Sequence, residues 1–161
     1  MKRIIAVAVA LAVLLAYSPN PVQAKDDGGY AVMYDGGSLP GLKAGKKLRL
    51  YIDSKEIRIM DDKTVVATLV PGTVQEISYG QDVHRRVGAA IGLAVVSFGI
   101  GGLMALTKSK KHYVGLTWAD GDAKGGFAMQ CDKNDYRGVI AGLEGVTGKK
   151  AVNSDAMTVK N

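Results

Sequence analysis

The chain has 161 residues, of which 47% are hydrophobic, and a formal net charge of +6. This length supports one domain with a modest core and argues against a second domain. The charge is mild, and no recognition helix or aromatic-basic face is evident, which argues against a nucleic-acid partner. The single cysteine, Cys131, excludes an intramolecular disulfide, and we expect it to be a small, partly buried apolar side chain.

Residues 1–24 have the pattern of a secretory signal peptide, which predicts export to the bacterial cell envelope. Lys2-Arg3 form its basic start, Ile4–Tyr17 its apolar region, and Val22-Gln23-Ala24 the small-residue cleavage motif. An uncleaved anchor is the alternative. It is disfavoured because Ser18–Pro21 interrupts the helix after about 14 apolar residues, which is short for a membrane span.

Seven short stretches have the pattern of β-strands, either an alternation of apolar and polar residues or a β-branched, apolar composition. These stretches are Tyr30–Tyr34, Lys46–Ile52, Glu56–Met60, Thr64–Val70, Val74–Tyr79, Tyr113–Trp118 and Gly125–Cys131. Turn residues such as Asp35–Gly41 and Asp120-Gly121-Asp122 separate them.

A C-terminal amphipathic helix is predicted after the last strand. Its apolar positions Tyr136, Val139, Ile140 and Leu143 recur at helical spacing, and Gly148 marks its end. Residues 153–161 show no such period and are expected to be a flexible tail.

This order of seven antiparallel strands and one helix resembles PH-like and GRAM-like domains. The segments GGSLPGLKAGKKLRL, VQEISYGQDVHRRVG, KKHYVGLTW and LEGVTGKKA resemble a family of exported, uncharacterised bacterial proteins in which a glycine-rich apolar insert follows an ISYGQ-like strand end. The resemblance covers roughly residues 29–152 and implies a mainly β (α+β) fold for a single domain at residues 25–152. That fold would be a small PH-like antiparallel β-barrel of about seven strands with a C-terminal helix and an internal apolar insert. It marks no catalytic site.

The insert is Val87–Leu106, an uncharged apolar run whose roughly 20 residues would match the ~30 Å hydrocarbon core as a helix. A single crossing would put the strands before and after it on opposite sides, and a returning hairpin needs about forty residues. We therefore expect the insert to dip into or lie on one leaflet. The predicted membrane-contacting residues are Val87, Ile91, Leu93, Val95, Val96, Phe98, Ile100, Leu103, Met104 and Leu106.

Small residues repeat along the insert at four-residue spacing, an arrangement that lets apolar helices approach closely. The predicted self-packing residues, which would support a homo-oligomer, are Gly88, Gly92, Ser97, Gly101 and Ala105. The expected interfacial flanks are Arg85, Arg86, Lys108, Lys110, Lys111 and Tyr113. A buried core hairpin in a soluble protein is the alternative, but it would require a small domain to bury about twenty further apolar residues.

No motif for catalysis, metal or cofactor is present. His84 and His112 bracket the insert without ligand spacing, and the glycines at 99–102 are not followed by the GK[ST] of a phosphate loop. The sequence predicts a non-enzymatic, membrane-associated envelope protein on the periplasmic or extracellular side, with lipid as a partner. A soluble periplasmic carrier, with the glycine-rich segment as a lid over an apolar ligand, is the alternative.

Overall fold

A computed structural model describes residues 28–92 and 111–155, which form one eight-stranded sheet and two α-helices. The strands are β1 (Tyr30–Gly37), β2 (Lys47–Ile52), β3 (Ile57–Asp61), β4 (Thr64–Leu69), β5 (Val74–Tyr79), β6 (His112–Asp120), β7 (Ala123–Cys131) and β8 (Val152–Asn153). The helices are α1 (Val83–Ile91) and α2 (Tyr136–Thr147). The seven predicted strands and the C-terminal helix are confirmed to within a few residues at their ends.

The strand order is β4-β3-β2-β1-β7-β6-β5-β8, and the only parallel pair in the described part of the chain is β5 with β8. The mainly β, α+β class is therefore confirmed. The predicted seven-stranded PH-like barrel is wrong, because the sheet does not close. The second edge of β5 is occupied by β8, with Val152 opposite Ser78, so it is not free to pair with β4.

The inner face of the sheet, defined as the side covered by α2, carries the main hydrophobic core. Alternate residues of β1 and β2 point into it, as the period of two predicts, and Val32, Leu48 and Leu50 are at most 5% exposed. Helix α2 covers this core with Val139 and Leu143, both fully buried. Full burial of a side chain of this size contributes about 1.5–3 kcal/mol, so α2 is held mainly by its apolar face.

The outer face carries α1, which packs across β6 and β7. Strand β6 is therefore buried on both sides: Val114 and Leu116 face the inner core, whereas Tyr113 and Gly115 face α1. The helix approaches closely because position 115 has no side chain. A Cβ atom there would lie 2.6 Å from Val83 Cγ1, which is closer than van der Waals contact allows.

Within residues 28–92 and 111–155, three β-bulges each place one extra residue on a strand: Asp35 on β1, Val66 on β4 and Gln75 on β5. The bulge at Asp35 lets β1 continue along β7 as far as Gly37, past its predicted end at Tyr34. The bulge at Val66 interrupts edge strand β4, which disfavours pairing with another chain.

The chain past residue 152, predicted as a flexible tail, is part of the fold as far as Asp155. Ser154 is buried, and its N–H and hydroxyl both donate to the Tyr79 carbonyl, at 2.8 and 2.9 Å. The Asp155 carboxylate accepts the N–H of Gln81 at 2.6 Å. These bonds to the backbone, which leave no periodic pattern in the sequence, extend the fold past the predicted boundary.

Replacing Gly115 with alanine is expected to destabilise the protein by about 1–3 kcal/mol, because the new Cβ would overlap Val83 and Val87 of α1. The control is Gly145→Ala on α2, where a Cβ meets nothing within 4 Å and should stabilise the helix by up to about 1 kcal/mol. Urea unfolding of both variants measures the difference. Equal stability of the two variants would contradict the close packing of α1.

Acid should weaken the attachment of the C-terminal segment to α2. The Glu144 carboxylate accepts the N–H of Ala151 at 2.7 Å, and this bond, assisted by Lys150, lowers the pKa of Glu144 below its ordinary value of 4.5. Since the folded-state pKa is the lower one, the stabilisation is complete above the unfolded-state pKa and is lost as the pH falls through the folded-state value. We expect wild type to exceed Glu144→Gln in unfolding free energy at neutral pH and to match it in strong acid. A difference that does not change with pH would refute this account.

Candidate functional site

The predicted membrane-contacting run begins within α1, where its first residues contact protein. Val87 is fully buried beside Val83, Tyr113 and Ala128, and Ile91 packs against the same cluster. The buried face of α1 therefore starts at Val83, four residues before the predicted segment. Val87 was predicted to contact lipid, but its side chain packs against the sheet.

Gly92 ends α1, with a φ of 68° that favours glycine, and it is exposed on the outer side of the sheet. Gly88, one turn earlier, is buried. Neither described helix is both long enough and apolar enough to cross a bilayer. The other residues of these two predicted sets lie outside the described residues: Leu93, Val95, Val96, Ser97, Phe98, Ile100, Gly101, Leu103, Met104, Ala105 and Leu106.

The turn that precedes α1 and the start of β6 are tied to each other at one end of the β5–β6 pair. The Gln81 side-chain amide donates to the Lys111 carbonyl at 2.7 Å. The Gly80 N–H donates to the Tyr113 carbonyl at 3.1 Å. These bonds link the chain just before α1 to the start of β6.

The predicted interfacial flanks occupy different environments. Arg85 is exposed, Lys111 is half-buried and Tyr113 is only 7% exposed, between α1 and the sheet. Arg86 binds Glu76 of β5 through two bonds, Nε to Oε1 at 2.9 Å and Nη2 to Oε2 at 2.6 Å. Hydrogen bonding to Glu76 is the main cause that raises the pKa of Arg86. Lys108 and Lys110 lie outside the described residues.

His84 attaches the other side of α1 to β1. Its Nε2 lies 2.8 Å from Oδ2 of Asp35, the bulged residue of that strand, and its ring meets the Tyr113 ring edge to face at 4.8 Å. The pKa of Tyr113 is raised by burial and, to a smaller extent, by the Asp35 charge. Helix α1 thus has a polar contact on each side of its apolar face, one to β1 and one to β5.

The two histidines do not form a common site. His112 stacks on Tyr136 of α2, with ring centroids 4.0 Å apart, whereas His84 packs against Tyr113 on the α1 side. No group of potential metal ligands occurs among the described residues. Cys131 is buried, and burial raises the pKa of its thiol to about 12, which keeps it protonated and poorly nucleophilic.

Two of the concave regions that the described residues line are on the outer face. A hollow of about 660 Å³ over β1 and β2 mixes cations and carboxylates, including Lys47, Arg49, Asp62 and Asp132, and so has no clear preference for ligand charge. The second, which we name the α1 cleft, has a volume of about 500 Å³ and lies between α1 and strands β5 and β6. Its lining residues are Gln75, Glu76, Arg85, Arg86, Ala89, Ala90 and Thr117. They come from three elements, so sequence spacing alone did not indicate this cleft.

Replacing Glu76 with glutamine should weaken the docking of α1 by about 1 kcal/mol, because it removes a two-bond pair whose side chains are less than one-third exposed. The matched control is Glu56→Gln, which breaks the more exposed 2.9 Å pair with Arg58 and should cost less than about 0.5 kcal/mol. Unfolding free energy, together with amide exchange in α1, distinguishes the two. An equal effect of both variants would show that the Glu76 pair does not hold the helix.

Compared with protein-family models and with curated proteins, the sequence gives no match.

Proposed function

We propose that the protein is a non-enzymatic module of the bacterial cell envelope, exported by its N-terminal signal and associated with the membrane through its internal apolar segment. One observation carries the proposal: strands β5 and β6, which flank that segment in the chain, pair directly with each other. Their register sets Ser78 opposite Gly115 and Tyr79 opposite Val114. The domain would then act as a binding or structural module at the membrane surface.

Direct pairing restricts how the segment can meet a bilayer. Strands that share hydrogen bonds lie on the same side of a membrane, so a single crossing between Tyr79 and His112 is incompatible with the sheet. The bond from Gln81 to the Lys111 carbonyl likewise holds the two ends of the connection close together. Both features support a segment that enters and leaves the lipid from one side.

The composition of the segment supports lipid as its environment. From Leu93 to Leu106 the chain contains no charged residue, and Lys108 and Lys110 follow. A long uncharged apolar run favours a membrane or protein contact in a domain too small to bury it, and cations at its end favour the lipid interface. Because α1 is packed tightly on the sheet, the outer face of the domain would lie towards that membrane.

The polar groups near α1 support a role without catalysis. Asp35 is engaged with His84, and Glu76 with Arg86. Both pairs connect α1 to the sheet, which is a structural use of the titratable groups around the helix. The buried Cys131 thiol is equally unsuited to act as a nucleophile, because its pKa is raised to about 12.

Placing lysines in the segment tests the membrane proposal. The double substitution Val95→Lys, Ile100→Lys should move the mature protein from the carbonate-washed membrane fraction to the soluble fraction with its β-sheet signal intact. The matched control is Val65→Lys, Val70→Lys, which adds the same charge at positions 50% and 58% exposed, and it should remain with the membrane. Retention of the Val95/Ile100 variant in the membrane fraction would contradict the proposal. A fully soluble wild type would favour the alternative, a soluble periplasmic carrier.

Protease protection of two tags tests the topology separately. Exposed insertion points exist before the segment, between Lys43 and Ala44, and after it, between Gly121 and Asp122. Both tags should be cleaved from the same side of the membrane. Cleavage from opposite sides would mean that the segment crosses the bilayer and that β5 and β6 do not pair in the membrane.

A further inference from the structure

The α1 cleft is positioned to contact the same membrane. It lies on the outer face of the sheet beside α1, and that helix ends at Gly92, where the chain continues into the apolar segment. Its volume of about 500 Å³ falls within the range of small-molecule sites. A ligand held here would lie beside α1, the helix that precedes the apolar segment in the chain.

The charges of the described residues that line the cleft, Glu76, Arg85 and Arg86, sum to one positive charge. Glu76 and Arg86 neutralise each other through their two short bonds. Arg85 is exposed, and no carboxylate among residues 28–92 and 111–155 lies within ion-pair distance of it. An uncompensated guanidinium at the rim of a cleft favours an anion, and its planar donors suit a phosphate group.

The cleft also changes in polarity along α1. Arg85 lies in the first half of the helix, whereas Thr117 of β6 lines the cleft with its methyl group near Ile91, at the other end of the helix. Ala89 and Ala90, about one turn closer to Gly92, give it an exposed apolar wall. A cationic end followed by an apolar end matches the order of headgroup and acyl chain in a phospholipid.

We infer that the α1 cleft binds the phosphate headgroup of an anionic phospholipid in the bilayer, with Arg85 as the charged contact. This inference rests on the proposed membrane association, and it adds the class of lipid and a site outside the apolar segment. The hollow over β1 and β2 lacks this selectivity, since carboxylates accompany its cations. The bound lipid would hold the outer face against the membrane through α1, which precedes the apolar segment in the chain.

Flotation of the mature chain with vesicles tests the inference. The vesicles contain phosphatidylcholine alone or phosphatidylcholine mixed with phosphatidylglycerol. Wild type should partition more strongly into the anionic vesicles, and Arg85→Gln should reduce that partition about fivefold, as expected for one basic residue at an anionic surface. Arg85→Lys should retain most of the binding. The control Arg137→Gln removes an exposed cation from α2, on the opposite face of the sheet, and should change nothing. Unfolding midpoints establish that every variant is folded.

The outcomes separate this inference from the proposed function. Equal partition into both kinds of vesicle would overturn the lipid selectivity while leaving membrane association in place. Absence of partition into either kind would overturn the membrane proposal itself. An equal loss of vesicle binding in Arg85→Gln and Arg137→Gln would show an effect of net charge alone. Full competition by soluble glycerol phosphate would show that binding in the cleft does not require a bilayer. Either result would overturn the inference.

Discussion

The position of α1 depends on the absence of a side chain at residue 115. The helix packs against β6 so closely that a Cβ atom there would lie 2.6 Å from both Val83 Cγ1 and Ser78 Oγ. Protein interiors tolerate such overlaps poorly, so any larger residue would move the helix outward. The position of Gly92, which ends α1, therefore depends on this close packing.

Packing and charge contribute differently to the docking of α1. Burial of Val83 and Val87 provides most of the stabilisation, at about 1.5–3 kcal/mol for each side chain. The polar contacts of His84 and Arg86, both partly exposed, contribute less, since such pairs are generally worth about 0–1 kcal/mol. Their role is to orient the helix, because they fix its two sides to different strands. Among the described residues that line the cleft, this pairing leaves Arg85 as the cation without a carboxylate partner.

The C-terminal segment stabilises the end of the β5–β6 pair from which α1 begins. Strand β8 adds to the edge of β5, and the Asp155 carboxylate accepts the N–H groups of Gln81 and Asp82, at 2.6 and 3.3 Å. Gln81 in turn binds the Lys111 carbonyl. The turn before α1, the start of β6 and the C-terminal segment therefore meet at one end of the β5–β6 pair. These contacts support the proposed role, in which an apolar segment meets lipid from one side of the sheet.

The sequence by itself determined the strands and α2, because alternation or β-branched composition over five or more residues and the spacing of Val139 and Leu143 are local signals. It also indicated that strands on both sides of the apolar run belong to one sheet, and the β5–β6 register agrees. Only the tertiary structure decided the rest. Strand β8 is too short to show a period. Tyr113 was expected at a membrane interface, because the sequence of β6 does not indicate that α1 packs over this residue and buries it. The α1 cleft combines Gln75, Arg85 and Thr117 from separate elements, and such proximity arises from packing, which no sequence period encodes.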